Sequence, residues 1–364
     1  MAEIADGDNV KVIAFYLPQY HPISENDKAW GKGFTEWTNV KKAKPLFEGH
    51  YQPKIPLNGN YYNLLDGNTA RWQSDLAQQN GIFGFCYYHY WFSGRKLLEK
   101  PAERMLNNME VTIPFCFCWA NENWTRKWNG AENEVIMEQD YGDRADWERH
   151  FEYLLPFFED SRYITLNGKP VFIIYRPELI PDVNDFTHFI KKRCIEEGLK
   201  GCEIIFQRSD FMRNEKLKHT LEYDHCIAFE PLHSWLEITW ERIWSKAKRT
   251  LFKSKHTVYT VRDYDKTWRQ ILRRSFRDRK MIAGAFTDWD NTARNRCGLL
   301  YKGASPEKFA SYMSRLVKKV YKSGRLNVVF LTAWNEWGEG SYLEPDEKNG
   351  FAYLQAVRDA VHQI

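Results

Sequence analysis

The sequence predicts an α/β protein, a single (β/α)8 TIM barrel with long loops after its strands and a basic insertion between strands 6 and 7. Eight short apolar runs alternate with helical patterns along the 364 residues. Polar and aromatic residues follow these runs rather than precede them, and a barrel collects the C-terminal ends of its strands at its active face. The runner-up, a doubly wound open sheet, is disfavoured because no Gly-x-Gly-x-x-Gly motif follows the first run. We therefore predict one catalytic domain over residues 1–364.

Each predicted strand is a run of four to eight mostly apolar residues that ends in polar or aromatic residues. The runs are 10–17, 82–88, 112–118, 170–175, 203–207, 225–229, 281–286 and a last run that starts at Val328. The helical patterns cover 69–80, 96–108, 144–159, 183–197, 306–323 and 350–361.

Composition and cysteine usage indicate a globular protein of a reducing compartment. Seven Cys are scattered without paired spacing, which is typical of small buried thiols. The first residues lack the basic and apolar regions of a signal peptide, and no window is long and apolar enough to span a membrane. We expect a cytoplasmic protein that needs no cofactor. Cys116 and Cys118 have no second Cys/His cluster, so we expect no metal site.

The basic insertion is predicted over residues 232–280. From residue 242 to residue 280 there are 14 Lys or Arg and 3 acidic residues, whereas the whole chain carries a net charge of only +4. Such a segment suits anionic lipid, a pyrophosphate-linked substrate or nucleic acid, and equally a solvated helical face. Trp235, Trp240 and Trp244 favour a membrane-surface or substrate-lid role, and no nucleic-acid motif is present. Peripheral contact with the inner membrane through 242–280 is thus left open.

Two carboxylates are predicted to be catalytic. Glu336 and Glu339 follow the eighth run directly, with Gly338 and Gly340 on both sides of the second. Carboxylates are rarely buried unless paired, and a pair at a barrel mouth suits a reaction that needs a proton donor and a base or nucleophile. The other carboxylates at strand exits are predicted to bind hydroxyl groups or to orient other side chains; they are Glu122, Glu178, Asp210, Glu230, Asp288 and Asp290.

Many aromatic residues lie near these carboxylates, as a sugar-binding cleft requires. The predicted substrate-binding residues are Tyr20, His21, His89, Trp119, Asn121, Glu122, Trp124, Glu230, Asp288, Asp290, Trp334 and Trp337. Several have structural alternatives: Asn121 and Glu122 suit a helix cap, and His21 and His89 suit hydrogen-bonded structural positions. Asp288 and Asp290 alternatively hold Arg294. The role of Glu36 stays open.

Five motifs resemble the WbsX-type family. They are VIAFYLPQYHP from residue 12, GFTEW from residue 33, CWANENWT from residue 118, WDNTAR from residue 289 and WNEWGEG from residue 334. That family is labelled glycosyltransferase and is found with O-antigen and capsule biosynthesis. It is also described as glycoside hydrolase family 99-like, after the endo-α-mannosidases. The resemblance runs from about residue 10 to residue 360, and it is more distant to family 99 itself.

The resemblance implies a barrel enzyme that needs no metal and retains configuration through participation of the sugar 2-hydroxyl. Carried over by position, Glu336 is the base that deprotonates this hydroxyl, and Glu339 is the acid that protonates the leaving oxygen. This departs from the usual scheme with a carboxylate nucleophile. It requires one ionised and one protonated carboxylate near neutral pH.

The sequence therefore favours a glycosidase-like, carbohydrate-active enzyme. Its substrate is expected to be a glycosidic bond of a cell-surface polysaccharide (O-antigen or capsule) or of its precursor, with lipid linkage left open and nucleic acid excluded. One alternative is a WbsX-type glycosyltransferase of lipopolysaccharide or capsule biosynthesis. Another is a non-catalytic carbohydrate-binding barrel, which would keep the tryptophans but have no need for the Glu pair.

Overall fold

A computed structural model confirms the predicted barrel; it describes residues 1–4, 9–126, 134–207, 214–237, 259–275, 278–295 and 298–363. Each strand pairs in parallel with the next in chain order, and the eighth pairs with the first to close the barrel. The strands are β1 (Lys11–Tyr16), β2 (Ile82–Phe92), β3 (Phe115–Trp119), β4 (Lys169–Ile174), β5 (Glu203–Phe206), β6 (His225–Ile227), β7 (Met281–Phe286) and β8 (Val328–Thr332).

Helices connect the strands in the part of the chain that the structure describes. They are α1 (Ser24–Trp30), α2 (Glu36–Lys42), α3 (Gly67–Gln79), α4 (Lys100–Leu106), α5 (Arg144–Phe158), α6 (Val183–Glu196), α7 (Glu215–Thr220), α8 (Leu232–Glu237), α9 (Tyr264–Arg273), α10 (Pro306–Lys322) and α11 (Ala352–His362). Polar residues fix several starts: the side chains of Asp66, Asp143 and Ser305 accept hydrogen bonds from backbone N–H groups in the first turns of α3, α5 and α10.

Short strands occur in the loops outside the barrel. They are Ala2–Glu3, Arg95–Leu97, Trp124–Arg126, Glu134–Met137, Ile164–Leu166, Thr260–Asp263, Leu299–Lys302, Asn335–Glu336 and Ser341–Tyr342.

Two strand boundaries differ from the prediction for local reasons. β2 continues to Phe92 because its end forms an antiparallel hairpin with Arg95–Leu97. Ser93 and Gly94 at the hairpin turn both have positive φ, at 45° and 83°, which is the combination that a tight hairpin turn needs. β3 begins at Phe115, directly after Pro114, which has no N–H to donate to a neighbouring strand. The hairpin carries residues of β2 out past the barrel mouth.

Aromatic side chains fill the barrel interior. The Phe15 ring stacks on Tyr88 with 5.7 Å between centroids, and contacts Phe229 and Phe330 at 5.6 Å each. Next to β7 the backbones approach so closely that a Cβ at Gly284 would lie 1.9 Å from the carbonyl oxygen of Ala228, the residue that follows β6. The interior is thus a packed core, and its upper layer forms the floor of the barrel mouth.

The central part of the predicted insertion lies outside the described residues. Residues 238–258, with Trp240 and Trp244, are not described, whereas α8 and α9 lie on either side of them. Arg262 lies over the Trp235 ring at 3.7 Å from its centroid. Within the described ranges, we find no helix that is both long enough and apolar enough to cross a membrane.

Candidate active site

A cavity of about 360 Å³ opens at the C-terminal ends of the barrel strands. Its floor includes Tyr88 and Phe229 from the aromatic interior. Its walls come from the last part of β2 and from the segments after β1, β3, β4, β6, β7 and β8, where the fold places catalytic groups. The lining residues are Leu17, Gln19, Tyr88, Tyr90, Ala120, Glu122, Asn123, Trp124, Thr125, Tyr175, Phe229, Leu232, Trp289, Arg294, Glu336 and Glu339. A cleft with several aromatic side chains and a few convergent charges is typical of a small-molecule site.

One guanidinium group binds three carboxylates at the wall of this cavity. Arg294 Nη2 donates to Glu336 Oε1 at 2.5 Å, and its Nη1 lies 2.9 Å from Glu339 Oε1. On the far side from the cavity, Arg294 Nε donates to Glu36 Oε1 at 2.7 Å. Glu336 and Glu36 are nearly inaccessible, with side chains 9% and 0% exposed, whereas the side chain of Glu339 is 23% exposed. The predicted catalytic pair is therefore held together by one buried cation.

Glycines allow this arrangement. Gly338 lies so close to the ion pair that a Cβ there would be 1.7 Å from Glu36 Oε1 and 2.7 Å from Arg294 Nε. Gly340 adopts a left-handed conformation with φ 64°, which turns the chain directly after Glu339. The geometry of the charged cluster thus requires both glycines that flank Glu339.

Buried polar contacts fix the segment that carries Glu336. The Asn335 side chain exchanges two hydrogen bonds with the backbone of Leu17, at 2.7 and 3.0 Å, and so ties the exit of β8 to the exit of β1. The Tyr20 hydroxyl donates to the Asn335 carbonyl at 2.5 Å and accepts from the Trp337 N–H at 3.2 Å. These contacts leave little freedom to the backbone on either side of Glu336.

Burial makes the carboxylates of this cluster weak acids. It raises the pKa of Glu336 to about 8; the neighbouring Glu339 and Glu36 add to this, and Arg294 opposes it. The pKa of Glu339 is also raised, again mainly by burial and partly by Glu36. Burial alone would lower the pKa of Arg294, but the three carboxylates together raise it well above its ordinary value. At neutral pH the pair therefore holds at least one proton beside a permanently charged arginine.

A further buried carboxylate supports the site from behind. Glu344 accepts hydrogen bonds from Trp337 Nε1 at 2.6 Å, from Gln73 Nε2 at 2.7 Å and from the Tyr62 hydroxyl at 2.8 Å. Burial raises the pKa of Glu344 to about 7, although these donors lower it. The Trp337 ring stacks on Tyr342 at 3.8 Å. Glu344 therefore anchors the tryptophan that lies between the two catalytic candidates, and its role was not predicted from the sequence.

Four of the predicted site residues line the cavity: Glu122, Trp124, Glu336 and Glu339. Glu122 forms an ion pair of 2.5 Å with Arg176, which also bonds Glu178. Trp124 donates from Nε1 to Asn26 at 3.1 Å. These contacts fix the orientation of an acidic and an aromatic group in the wall opposite the Glu pair.

The other predicted binding residues lie outside the residues that line this cavity. They are Tyr20, His21, His89, Trp119, Asn121, Glu230, Asp288, Asp290, Trp334 and Trp337. Trp119 and Trp334 are fully buried in the core, and the Asn121 side chain clamps the Arg176 backbone. The contacts that the structure shows for these three residues are structural, and their contact with a sugar stays a prediction.

The two predicted histidines are buried. His21 is inaccessible, and burial lowers its pKa to about 4. His89 shares a 2.9 Å hydrogen bond with His150 of α5, and burial lowers its pKa to about 3. Both imidazoles therefore stay neutral at physiological pH and serve the packing of the barrel rather than the cavity.

The remaining predicted carboxylates have partners of their own. Glu230 pairs with Arg274 at 2.6 Å and accepts from the Ser234 N–H. Asp288 lies 3.6 Å from Lys54 Nζ. Asp290 accepts from Gln52 and Thr292 and shares a hydrogen bond with His50.

The alternative role that we considered for Asp288 and Asp290, holding Arg294, is wrong. Glu36, Glu336 and Glu339 hold Arg294 instead. The role of Glu36, open from the sequence, is thus to bind the arginine that links the catalytic pair. The WDNTAR and GFTEW motifs contain these two residues, but nothing in the sequence pairs one motif with the other. Asp210, another predicted exit carboxylate, lies outside the described residues.

Comparison with known proteins agrees with this architecture. A model of the family described as Glycosyltransferase WbsX matches residues 12–357. Two proteins of Xanthomonas campestris pv. campestris, from strains ATCC 33913 and B100, are each 34% identical over 354 residues, which is 96% of this chain and 49% of theirs. Both are described as uncharacterized protein WxcX. The chain thus spans about half the length of these curated relatives.

Solved structures share the fold at low sequence identity. One described as a glycoside hydrolase-like protein matches with a TM-score of 0.59 and 14% identity, covering 98% of this chain and 95% of its own. The GH99 endo-alpha-mannosidase from Bacteroides thetaiotaomicron matches with a TM-score of 0.55 and 13% identity, covering 98% and 97%. At such identities the likeness concerns the fold alone.

Proposed function

The chain belongs to the family described as glycosyltransferase WbsX and is by family a carbohydrate-active enzyme; on this premise we propose that it acts on a glycosidic bond of a cell-surface polysaccharide or of its precursor. The observation that carries the proposal is the shared guanidinium: Glu336 and Glu339 both bind Arg294 and both line one aromatic cavity. Acid–base cleavage of a glycoside requires two carboxylates in different environments, and the two members of this pair differ in exposure.

In the proposed reaction the 2-hydroxyl group of the sugar attacks the anomeric carbon of the same ring. Glu336 accepts the proton of the sugar 2-hydroxyl while the oxygen of that hydroxyl forms a bond to the anomeric carbon. The bond from that carbon to the leaving oxygen breaks, and Glu339 gives its proton to this oxygen. Water or the hydroxyl of a second sugar then attacks the anomeric carbon from the opposite side and opens the strained three-membered ring. Glu339 takes the proton of the attacking hydroxyl, and Glu336 returns its proton to the sugar 2-oxygen. Glu339, the more exposed member of the pair, is the one better placed to reach a leaving group.

The electrostatics of the pair supply the proton that this reaction needs: the pKa of about 8 places it on Glu336 in the empty site, and it must pass to Glu339 before Glu336 can act as the base. The reaction needs a single proton on the pair at the start, because one carboxylate must give and the other must take. The raised pKa values of Glu336 and Glu339 keep a proton on the pair near neutral pH, and Arg294 stabilises the charge of the ionised member. A substrate that excludes water from the cavity would strengthen each of these interactions.

A second candidate is transfer from an activated donor, which the description of the matching family favours. Asp288 and Asp290 have the Asp-x-Asp spacing that metal-dependent transferases use. Here their carboxylates bond Lys54, His50 and Gln52 rather than line the cavity. This engagement favours a glycosidase-like reaction, with hydrolysis and transglycosylation as its two outcomes. A non-catalytic binding barrel would have no use for the buried charge of the pair.

We extend the proposal to location and substrate form. All six cysteines of the described ranges are buried thiols, which supports a cytoplasmic protein. The excess of Lys and Arg between residues 242 and 280 supports a lipid-linked precursor as substrate and peripheral contact with the inner membrane.

The test compares Glu336→Gln and Glu339→Gln with the unmodified protein. Each protein is incubated with α-linked oligosaccharides, lipid-linked oligosaccharides and nucleotide sugars, and products are followed by mass spectrometry. We expect glycoside cleavage or transfer in the unmodified protein and a loss of at least about 100-fold in either variant, the scale of general acid–base catalysis. Glu48→Gln, at an exposed position, is the matched control and should keep full activity.

The outcomes separate the candidates. Turnover that survives both substitutions would remove the catalytic assignment. Consumption of nucleotide sugar without any glycoside cleavage would identify the transferase. Oligosaccharide binding without turnover in the unmodified protein would identify a binding barrel.

A further inference from the structure

A second concave surface lies at the opposite end of the barrel from the candidate active site. α10 precedes β8 and therefore delivers the chain to the N-terminal face of the barrel, away from the strand exits. There, the last turns of α10, the loop after it and Ser275 after α9 border an open cavity of about 710 Å³. No residue of this cavity takes part in the site described above.

The charged residues that line this basal cavity in the described part of the chain are all basic. The lining consists of two serines and five cations, Arg315, Lys318, Lys319, Lys322 and Arg325, and in the described part of the chain no acidic side chain lines the cavity. Four of the cations come from one face of α10, where they repeat at spacings of three and four residues. Like charges at these spacings disfavour a helix. Lys319 and Lys322, in the last turn, also interact favourably with the helix dipole, so the repulsion falls mainly on the crowding of like charges along this face.

One of the five cations has a structural task. Lys319 Nζ donates to the carbonyl oxygens of Leu272 and Arg274, both at 2.6 Å, and so caps the C-terminal end of α9. The other cations on α10 need a different explanation. Arg315, Lys318 and Lys322 are exposed, and their side chains extend around the rim of the cavity.

We propose that the basal cavity binds a phosphorylated anion carrying at least two negative charges. Guanidinium forks and ammonium groups are the side chains that bind phosphoryl oxygens most strongly, and serine hydroxyls add neutral donors. The volume admits a diphosphate or the headgroup of an anionic phospholipid. Binding there would neutralise the repulsion within α10. It would also leave the barrel mouth at the other face free for its own substrate.

The test uses the full chain and two probes. Inorganic pyrophosphate is titrated by calorimetry, and vesicles of phosphatidylglycerol and phosphatidylcholine in equal amounts are compared with vesicles of phosphatidylcholine alone in a sedimentation assay. The variant combines Arg315→Gln, Lys318→Gln and Lys322→Gln, which keeps long side chains with good helix propensity. The matched control removes three exposed cations elsewhere, with Lys192→Gln, Lys200→Gln and Lys216→Gln.

We expect the unmodified protein and the control to bind at least one probe, and the cavity variant to bind it at least about tenfold more weakly. Loss of pyrophosphate binding would identify a soluble phosphorylated ligand, and loss of vesicle binding alone would identify a lipid surface. Absence of binding to both probes at low salt, or an equal loss in the control, would overturn the proposal. Lys322→Glu provides a second variant if the triple substitution reduces the melting temperature.

Discussion

Replacing Gly338 with Ala should damage the charged cluster without touching any of its charges. The added Cβ would lie 1.7 Å from Glu36 Oε1 and 2.7 Å from Arg294 Nε. Carbon–oxygen contacts below 3.0 Å are essentially never seen, so the carboxylate must move by more than an ångström. Glu36 is fully inaccessible and has no solvent to move into. The ion pair between Glu36 and Arg294 should therefore break or stretch.

The cost follows from two terms. Overpacking of a buried site costs about 1–3 kcal/mol, and a buried ion pair that loses its geometry costs up to about 3–5 kcal/mol. We take about 3 kcal/mol as the expected loss. With an unfolding entropy of about 2.1 cal/mol/K per residue, the melting temperature of a chain of this length should fall by about 4 °C. Activity should fall as well, because Arg294 would no longer be held in register with Glu336 and Glu339.

Thermal and urea unfolding measure the effect, and Gly67→Ala is the matched control. Gly67 is exposed in the first turn of α3, and an added Cβ there would contact nothing within 4 Å. Its replacement should be neutral or slightly stabilising. Adding Glu36→Ala to Gly338→Ala should relieve the clash, so that the two costs are not additive. Equal melting temperatures for the Gly338→Ala and Gly67→Ala proteins would refute the assignment of Gly338 as the residue that admits the ion pair.

Three further predictions concern named side chains. The pKa of Glu336 is about 8 in the folded protein, so binding of a proton to this carboxylate stabilises the fold. This contribution to stability is complete below pH 4.5 and is lost as the pH rises through 8. Urea titrations should therefore show Glu336→Gln matching the wild type at low pH and exceeding it above pH 8; a constant difference would contradict the raised pKa. Glu344→Gln should lower the free energy of unfolding by about 1–3 kcal/mol, because an amide nitrogen, which cannot accept, replaces one of the two oxygens that accept from Gln73, Tyr62 and Trp337; Glu48→Gln should leave it unchanged. Trp289→Leu should weaken oligosaccharide binding about tenfold, or ~1.4 kcal/mol; unchanged affinity in a titration would show that this cavity ring does not contact the sugar.

The fold could be predicted because the relevant information is local. Each strand of the barrel is a short apolar run, and the run at 329–331 is buried on both faces as a parallel barrel requires. The ends of the strands depend on structure that the apolar runs do not show. The extension of β2 depends on a turn in which Ser93 has positive φ, and serine gives little sign of such a turn.

The sequence predicts which segments carry the candidate site, but not the direction in which each side chain points. In β2, Tyr88 and Tyr90 line the cavity, whereas His89 between them points to the helix layer and bonds His150. Successive side chains of a strand point to opposite faces, so a shift of one residue decides between sugar contact and packing. The sequence shows which residue types follow a strand, and it does not show which of them face inward.

The arginine at the centre of the site illustrates a second limit. Arg294 and Glu36 lie 258 positions apart, and each is one charged residue among many in its own segment. Only closure of the barrel, which brings the loop after β1 next to the exits of β7 and β8, makes them partners. Gly338 marks the contact from the other side, because its missing side chain leaves room for the pair.

The charge of this cluster also suits the transition state of the proposed reaction. Three carboxylates surround one guanidinium, so with one proton on the pair the cluster carries a net charge of about −1 in a buried setting. In an empty site this excess is unfavourable; burial first, and then the neighbouring carboxylates, raise the pKa values of Glu336 and Glu339. Glycosidic cleavage builds positive charge on the sugar ring as the bond breaks. A negative site gains most when that charge is largest, so the same excess that destabilises the empty protein would lower the barrier. Arg294 then acts as a positioning residue that keeps three carboxylates close enough to supply this field.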